Sequence, residues 1–126
     1  MANEIQVSSS MQVQQGSQNY RSLPLSFTAN QTTQGGPVPG MISAVTTGTG
    51  TTVSFAPLVT PNMCRIMNLD ATNYITVGPL EGGVLRKMMR LLPGESFVFR
   101  LDAGLVALSI LANVAACKVL VEAFEL

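Results

Sequence analysis

The stretch "LLPGESFVFRL", Leu91 to Leu101, decides how the rest of the chain is read. Pro93-Gly94 suits the centre of a type II turn, because proline fixes the first φ and glycine accepts the positive second one. Beyond the turn the residues alternate. Phe97, Phe99 and Leu101 fall on one side of an extended chain, with Ser96, Val98 and Arg100 on the other. The stretch is therefore a strand end, a tight turn and a new strand, and nothing in it suggests chemistry.

The same pattern runs outward in both directions. Toward the C-terminus, "LVALSILA" and "ACKVLVEAFEL" read as the last two strands. In the second of these, Cys117, Val119, Val121 and Ala123 share a face. Lys118, Leu120, Glu122 and Phe124 form the other, which is half apolar. A strand apolar on both sides wants cover on both, so Leu120 and Phe124 are candidate partner-binding residues. The apolar run Gly104–Cys117 is too short to cross a bilayer and is expected to be buried strand.

Toward the N-terminus, "VLRKMMRLL", Val84 to Leu92, fits a helical face or a strand. It is nine residues long between Gly-Gly and Pro-Gly, so a strand is favoured in an otherwise β chain. Its Arg86, Lys87 and Arg90 form the one basic cluster, either a solvated face or a contact for an acidic partner. "NMCRIMNLDATNYITVGPL" gives two strands, about 64–69 and 73–77, joined where Asp70 can bond its own backbone. "MISAVTTGTGTTVSFAPL" has the look of a hairpin around Gly48-Thr49-Gly50. A phosphate loop there is excluded, since no Lys follows the glycines and no helical pattern comes after them.

The first half differs in chemistry. Residues 1–61 hold Glu4 and Arg21, and residues 62–126 hold the other twelve charges. Ile5, Val7, Met11 and Val13 nevertheless alternate with polar residues, the period of a half-buried strand. These four are the other candidate partner-binding residues, and residues 1–15 read as an N-terminal arm or edge strand. "LPLSFTA", Leu23 to Ala29, repeats the alternation. Residues 30–40, with two Pro and three Gly, read as a loop. The whole is expected to be a single all-β domain, residues 1–126. It would be a β-sandwich or jelly roll of about eight to ten short strands with an extended polar N-terminal part.

Composition bounds the function. The 126 residues carry zero formal net charge and 11% charged residues, which argues against binding nucleic acid through phosphate neutralisation. There is no His, so the commonest general base and transition-metal ligand is missing. Cys64 and Cys117 read as two buried hydrophobes. A disulfide between them is open but unsupported, and two thiols are too few for a metal site. Glu95 with Asp102, or Asp70 with Glu81, would be the carboxylate pairs of an enzyme, but each residue lies beside a turn. The expectation is no catalytic residue, no metal, no cofactor and no membrane contact. "MANEIQVSSS" has no basic region followed by an apolar run, so no secretory signal is expected.

The segment order, with "MANEI", "GGPVPG", "NLDATNYITVG", "LLPGESFVFRL" and "CKVLVEAFE", resembles small structural proteins of tailed bacteriophages. It is similar in style to capsid decoration (cement) proteins. That resemblance implies a β-sandwich or jelly roll, often trimeric, made in the host cytoplasm and seated on the virion shell of major capsid protein. A tail or head-to-tail component is the nearest alternative. A carbohydrate- or receptor-binding fibre module is another, with Tyr20, Tyr74 and Phe124 as its candidate stacking aromatics. A low-charge chain with a two-sided last strand suits permanent assembly independently of the resemblance.

Overall fold

A computed structural model describes residues 5–31, 37–56, 58–102, 105 and 107–125. Among these there are thirteen strands and no helix, divided between two compact units.

The first unit is a two-stranded ribbon. β1 (Ile5–Ser9) pairs antiparallel with β4 (Leu25–Ala29), and between them β2 (Gln12–Gln15) pairs with β3 (Gln18–Arg21). Gly16, at φ 57°, allows the two-residue turn that joins β2 to β3. The two stretches are joined at Met11, whose N–H donates to Ser22 Oγ (2.6 Å) and whose carbonyl accepts from Ser22 N–H (2.8 Å). The returning arm carries one extra residue here, beside Pro24. Proline has no N–H to lose from a ladder and is at home at such an irregularity.

The second unit holds nine strands: β5 (Val38–Ala44), β6 (Thr51–Thr52), β7 (Met63–Asn68), β8 (Ile75–Glu81), β9 (Val84–Leu85), β10 (Met89–Leu91), β11 (Ser96–Arg100), β12 (Leu108–Ala112) and β13 (Cys117–Phe124). One sheet runs β11-β7-β13-β5. The other runs β10-β8-β12-β6, with β9 also on β8. Every pairing is antiparallel. The chain changes sheet at each connection except the hairpin from β8 to β9 and β10. First strand beside last and second beside penultimate is the order of a jelly roll, two Greek keys wrapped into a sandwich.

Alternation builds the core. Cys117, Val119, Val121 and Ala123 point inward from β13, with Cys64 and Ile66 beside them on β7. Ile75, Val77, Leu108 and Ile110 face them from the other sheet. All eight of the residues just named on β7, β8 and β13 are fully buried. Each large apolar side chain so buried stabilises the fold by about 1.5–3 kcal/mol.

The turns follow their residues. Glu95 N–H donates to Leu92 O (3.0 Å) around Pro93 and Gly94, and Gly94 sits at φ 82°, as a type II turn requires. Gly82 and Gly83, at φ 60° and 77°, close the β8–β9 hairpin in the two-residue turn whose twist matches the strands. Val84 to Leu92 is not helical: it holds two short strands, β9 and β10, with residues 86–88 and Leu92 outside them.

Several expectations are corrected. Residues 41–58 do not form a hairpin: β5 and β6 lie in different sheets, and the chain crosses over at residues 45–50. Thr51 Oγ1 holds the crossing by donating to Ser43 O (3.0 Å) and accepting from Val45 N–H (3.1 Å). Of the proposed loop 30–40, residues 38–40 belong to β5 and residues 32–36 lie outside the described residues. The penultimate strand is shorter than read, Leu108 to Ala112. Phe27 and Phe97, whose place in alternating apolar runs suggests core side chains, are both 47% exposed.

Candidate functional site

Two surfaces carry the six residues singled out in the sequence. The first is a face of the ribbon. Register places Val7 opposite Phe27, Ile5 opposite Ala29 and Ser9 opposite Leu25, and residues paired in this way share a face. Further along, Val13 is opposite Tyr20. Ile5 and Val7 are half-buried by these neighbours. Met11, Leu25 and Phe27 are 62%, 63% and 47% exposed. Leu23 and Tyr20 are exposed as well. A two-stranded ribbon has no second layer of its own, so the half-buried strand expected from the alternation is left with one side open. Arg21 is the one charged residue among described residues 5–31, and it donates to Gln12 Oε1 (3.5 Å).

The second surface is the outer face of the β11-β7-β13-β5 sheet. Leu120 lies between Met41 and Met67, and Phe124 lies beside Met63. Leu120 and Phe124 are half-buried, and Met41 is exposed. Glu122 sits between them on β13 and accepts from Arg65 Nη1 at 2.7 Å. The outer face is thus mixed, with the apolar side chains on either side of this ion pair and Lys118, Ser43, Ser96 and Arg100 on the same side of the sheet.

The basic trio does not act as one cluster. Arg86 Nε lies 3.3 Å from Glu81 Oε2. The Arg90 guanidinium lies over the Tyr74 ring, 4.2 Å from its centre, which occupies one of the three candidate aromatics. Lys87 is exposed.

The carboxylates are turn fixtures. Asp70 Oδ2 accepts from Thr72 N–H (3.0 Å) and Asn73 N–H (2.6 Å). Those bonds, Asn73 first, hold its carboxyl below the usual range. Glu95 Oε1 accepts from Leu92 N–H at 2.6 Å and fastens the Pro-Gly turn. Neither imagined pair is brought together. Glu95 and Asp102 flank β11, some ~20 Å apart along an extended strand, while Glu81 ends β8 and Asp70 lies on the connection before the other end of that strand. Among the described residues no group of three His, Cys, Asp or Glu side chains could hold a metal ion.

Both cysteines are free and buried on the core face. Cys64 is opposite Ala123, six residues along β13 from Cys117, about 20 Å, well beyond disulfide reach. Burial, and then the nearby Glu122 charge, pushes the Cys64 thiol up to about 12. Burial also raises that of Cys117.

Sequence reasoning missed two polar anchors. Asn68 is fully buried. Its Nδ2 donates to Asn73 O (2.9 Å) and Leu91 O (3.1 Å), and its Oδ1 accepts from Asp70 N–H (2.9 Å). Glu125 accepts from Val59 N–H, Thr60 N–H and Thr60 Oγ, all within 3.2 Å. The Thr60 hydroxyl leads in holding its carboxyl below the usual range. Nothing in an isolated Asn or a near-terminal Glu signals such partners. A cleft of about 610 Å3 lies among Thr52, Phe55, Thr60, Asn62, Arg100 and Leu105, with a mixed polar and apolar lining.

No known protein family, curated protein or solved structure matches the chain.

Proposed function

We propose that this protein is a non-enzymatic structural component of a tailed-phage virion that binds the shell of major capsid protein and reinforces it. The carrying observation is the open apolar face of the ribbon, Met11, Leu25 and Phe27 among polar, almost uncharged neighbours. A monomer gains nothing by holding such a face in water. Covered by a partner, each side chain of this size contributes about 1.5–3 kcal/mol. The backbone groups along the two outer edges of the ribbon would add main-chain hydrogen bonds to a neighbouring sheet. The jelly roll agrees with this reading, since viral capsid proteins use it. Lectins and cupins use it too, so the fold supports the proposal without deciding it. The sequence resemblance to decoration proteins points the same way.

The test is sedimentation with expanded capsid shells of the parent phage. Wild-type protein is expected in the shell pellet. The triple variant Met11→Asn, Leu25→Asn, Phe27→Asn should stay in the supernatant while keeping the circular dichroism of the jelly roll. Equal retention of the two proteins would overturn the proposal, as would wild-type protein that ignores shells and binds glycans.

A further inference from the structure

The edges of the jelly roll are not equally guarded. A sheet edge offers unpaired N–H and C=O groups, and proteins blunt it with short strands, prolines, bulges or charge. Here β5 carries Pro39, and β6 is two residues long. The β9–β10 edge is broken into pieces of two and three residues beside Arg86, Lys87 and Arg90. The remaining edge, β11, is five unbroken residues, Ser-Phe-Val-Phe-Arg, with its one charge at the end. Phe97 is 47% and Val98 36% exposed on it.

The direction of its backbone groups follows from the ladder. Asn68 N–H donates to Glu95 O, and Leu101 N–H donates to Asn62 O. In an antiparallel pair the hydrogen-bonded positions alternate. Residues 95, 97, 99 and 101 therefore turn their backbone groups to the β7 side. Ser96, Val98 and Arg100 turn theirs away from it, and no described group bonds them there.

We propose that this edge receives the β11 strand of a second copy of the chain, antiparallel and centred on Val98. The sequence of the strand is complementary to itself in that register. Val98 meets Val98, and the two exchange both backbone hydrogen bonds. Ser96 meets Arg100 twice and forms the other four. Phe97 meets Phe99 twice, adding cross-strand aromatic pairs to the rings already stacked at 5.6 Å within each copy. No charge lies opposite a like charge, so the self-pairing carries no repulsion of the kind that deters such contacts. The two four-stranded sheets become one continuous eight-stranded sheet, with a self-matching contact of two-fold symmetry.

Proline separates this contact from the fold. The Val98 N–H points out of the β7 ladder, so Val98→Pro removes a donor needed between copies and none needed within one. Wild-type protein is expected to sediment as a dimer, or a multiple of two, at tens of micromolar. Val98→Pro should halve that mass with its circular dichroism unchanged. A second variant, Val98→Cys, should oxidise to a covalent dimer and to no larger species, since paired Cα atoms are about 5.5 Å apart, within disulfide reach. A monomeric wild type, or an oligomer whose mass Val98→Pro leaves unchanged, overturns the proposal. Should Val98→Pro not fold, the cysteine variant decides, and its failure to cross-link under oxidation likewise overturns it.

Discussion

Asn68 shows what one buried amide does in a sandwich of this size. It ends β7 in one sheet, and its side chain reaches Leu91 at the end of β10 in the other, with Asn73 and Asp70 on the connection between. Its own backbone joins the Pro-Gly turn, accepting from Gly94 N–H and donating to Glu95 O. Three separately coded features, the end of β7, the Asp70 turn and the Pro93-Gly94 turn, are thereby tied at one point. Replacing Asn68 with Ala would take the amide partner from two carbonyls and an N–H, the Leu91 carbonyl among them in a buried position. Asn68→Ala is expected to cost about 2–3 kcal/mol, read as a lower urea midpoint at unchanged slope. Asp70 was legible as a turn residue because its bonds are local in sequence. Asn68 was not, because its Leu91 partner is 23 positions away.

At the scale of strands, alternation told which residues face the core but not which sheet a strand joins. The period of two fixes a face and is silent about the partner. Cys117 to Ala123 were therefore assigned correctly, and the Thr-rich segment around Gly48-Thr49-Gly50 was not. A flexible glycine turn serves a hairpin and a crossing between sheets alike, and the Thr51 hydroxyl that stabilises the crossing reads like any β-former. The β8 strand holds another feature hidden from pattern. Gly78 interrupts its apolar run, paired with Ser109 on β12. A methyl group there would overlap the carbonyl oxygen of Arg86 on the neighbouring arm, whose own N–H donates to Pro79 O (2.9 Å). The pairing of β8 with β9 and with β10 differs in register by one residue at this point, so the glycine admits the irregularity. Gly78→Ala should push the arm away. The expected cost is about 1–3 kcal/mol, despite the better strand propensity of Ala, with a melting temperature lowered by several degrees.

At the scale of the molecule, apolar surface and charge make opposite forecasts about attachment. The alternation of Ile5, Val7, Met11 and Val13 was legible because it survives even where the strand has no layer behind it. The exposure of Phe27 and Leu25 was not, because the same alternation in a complete sandwich would have buried them. An attachment through that face exchanges water for apolar contact and backbone hydrogen bonds, neither of which is screened by ions. The opposing account rests on Arg86, Lys87 and Arg90. Two of those three are already engaged, Arg86 with Glu81 and Arg90 with Tyr74, and the chain as a whole is neutral. Exposed charges separated by more than about 8 Å hardly feel one another at physiological salt, and at 1 M the range falls to about 3 Å. Retention on capsid shells should therefore stay nearly constant from 0.05 M to 1 M NaCl, both for the wild type and for the triple variant Arg86→Gln, Lys87→Gln, Arg90→Gln. Release of wild-type protein as salt rises, together with loss of the triple variant at low salt, would make the basic arm the contact and leave the ribbon face without its assigned role. Salt-stable binding by both proteins leaves the uncharged surfaces as the means of attachment, and the asparagine variants of Met11, Leu25 and Phe27 then test whether the ribbon supplies it.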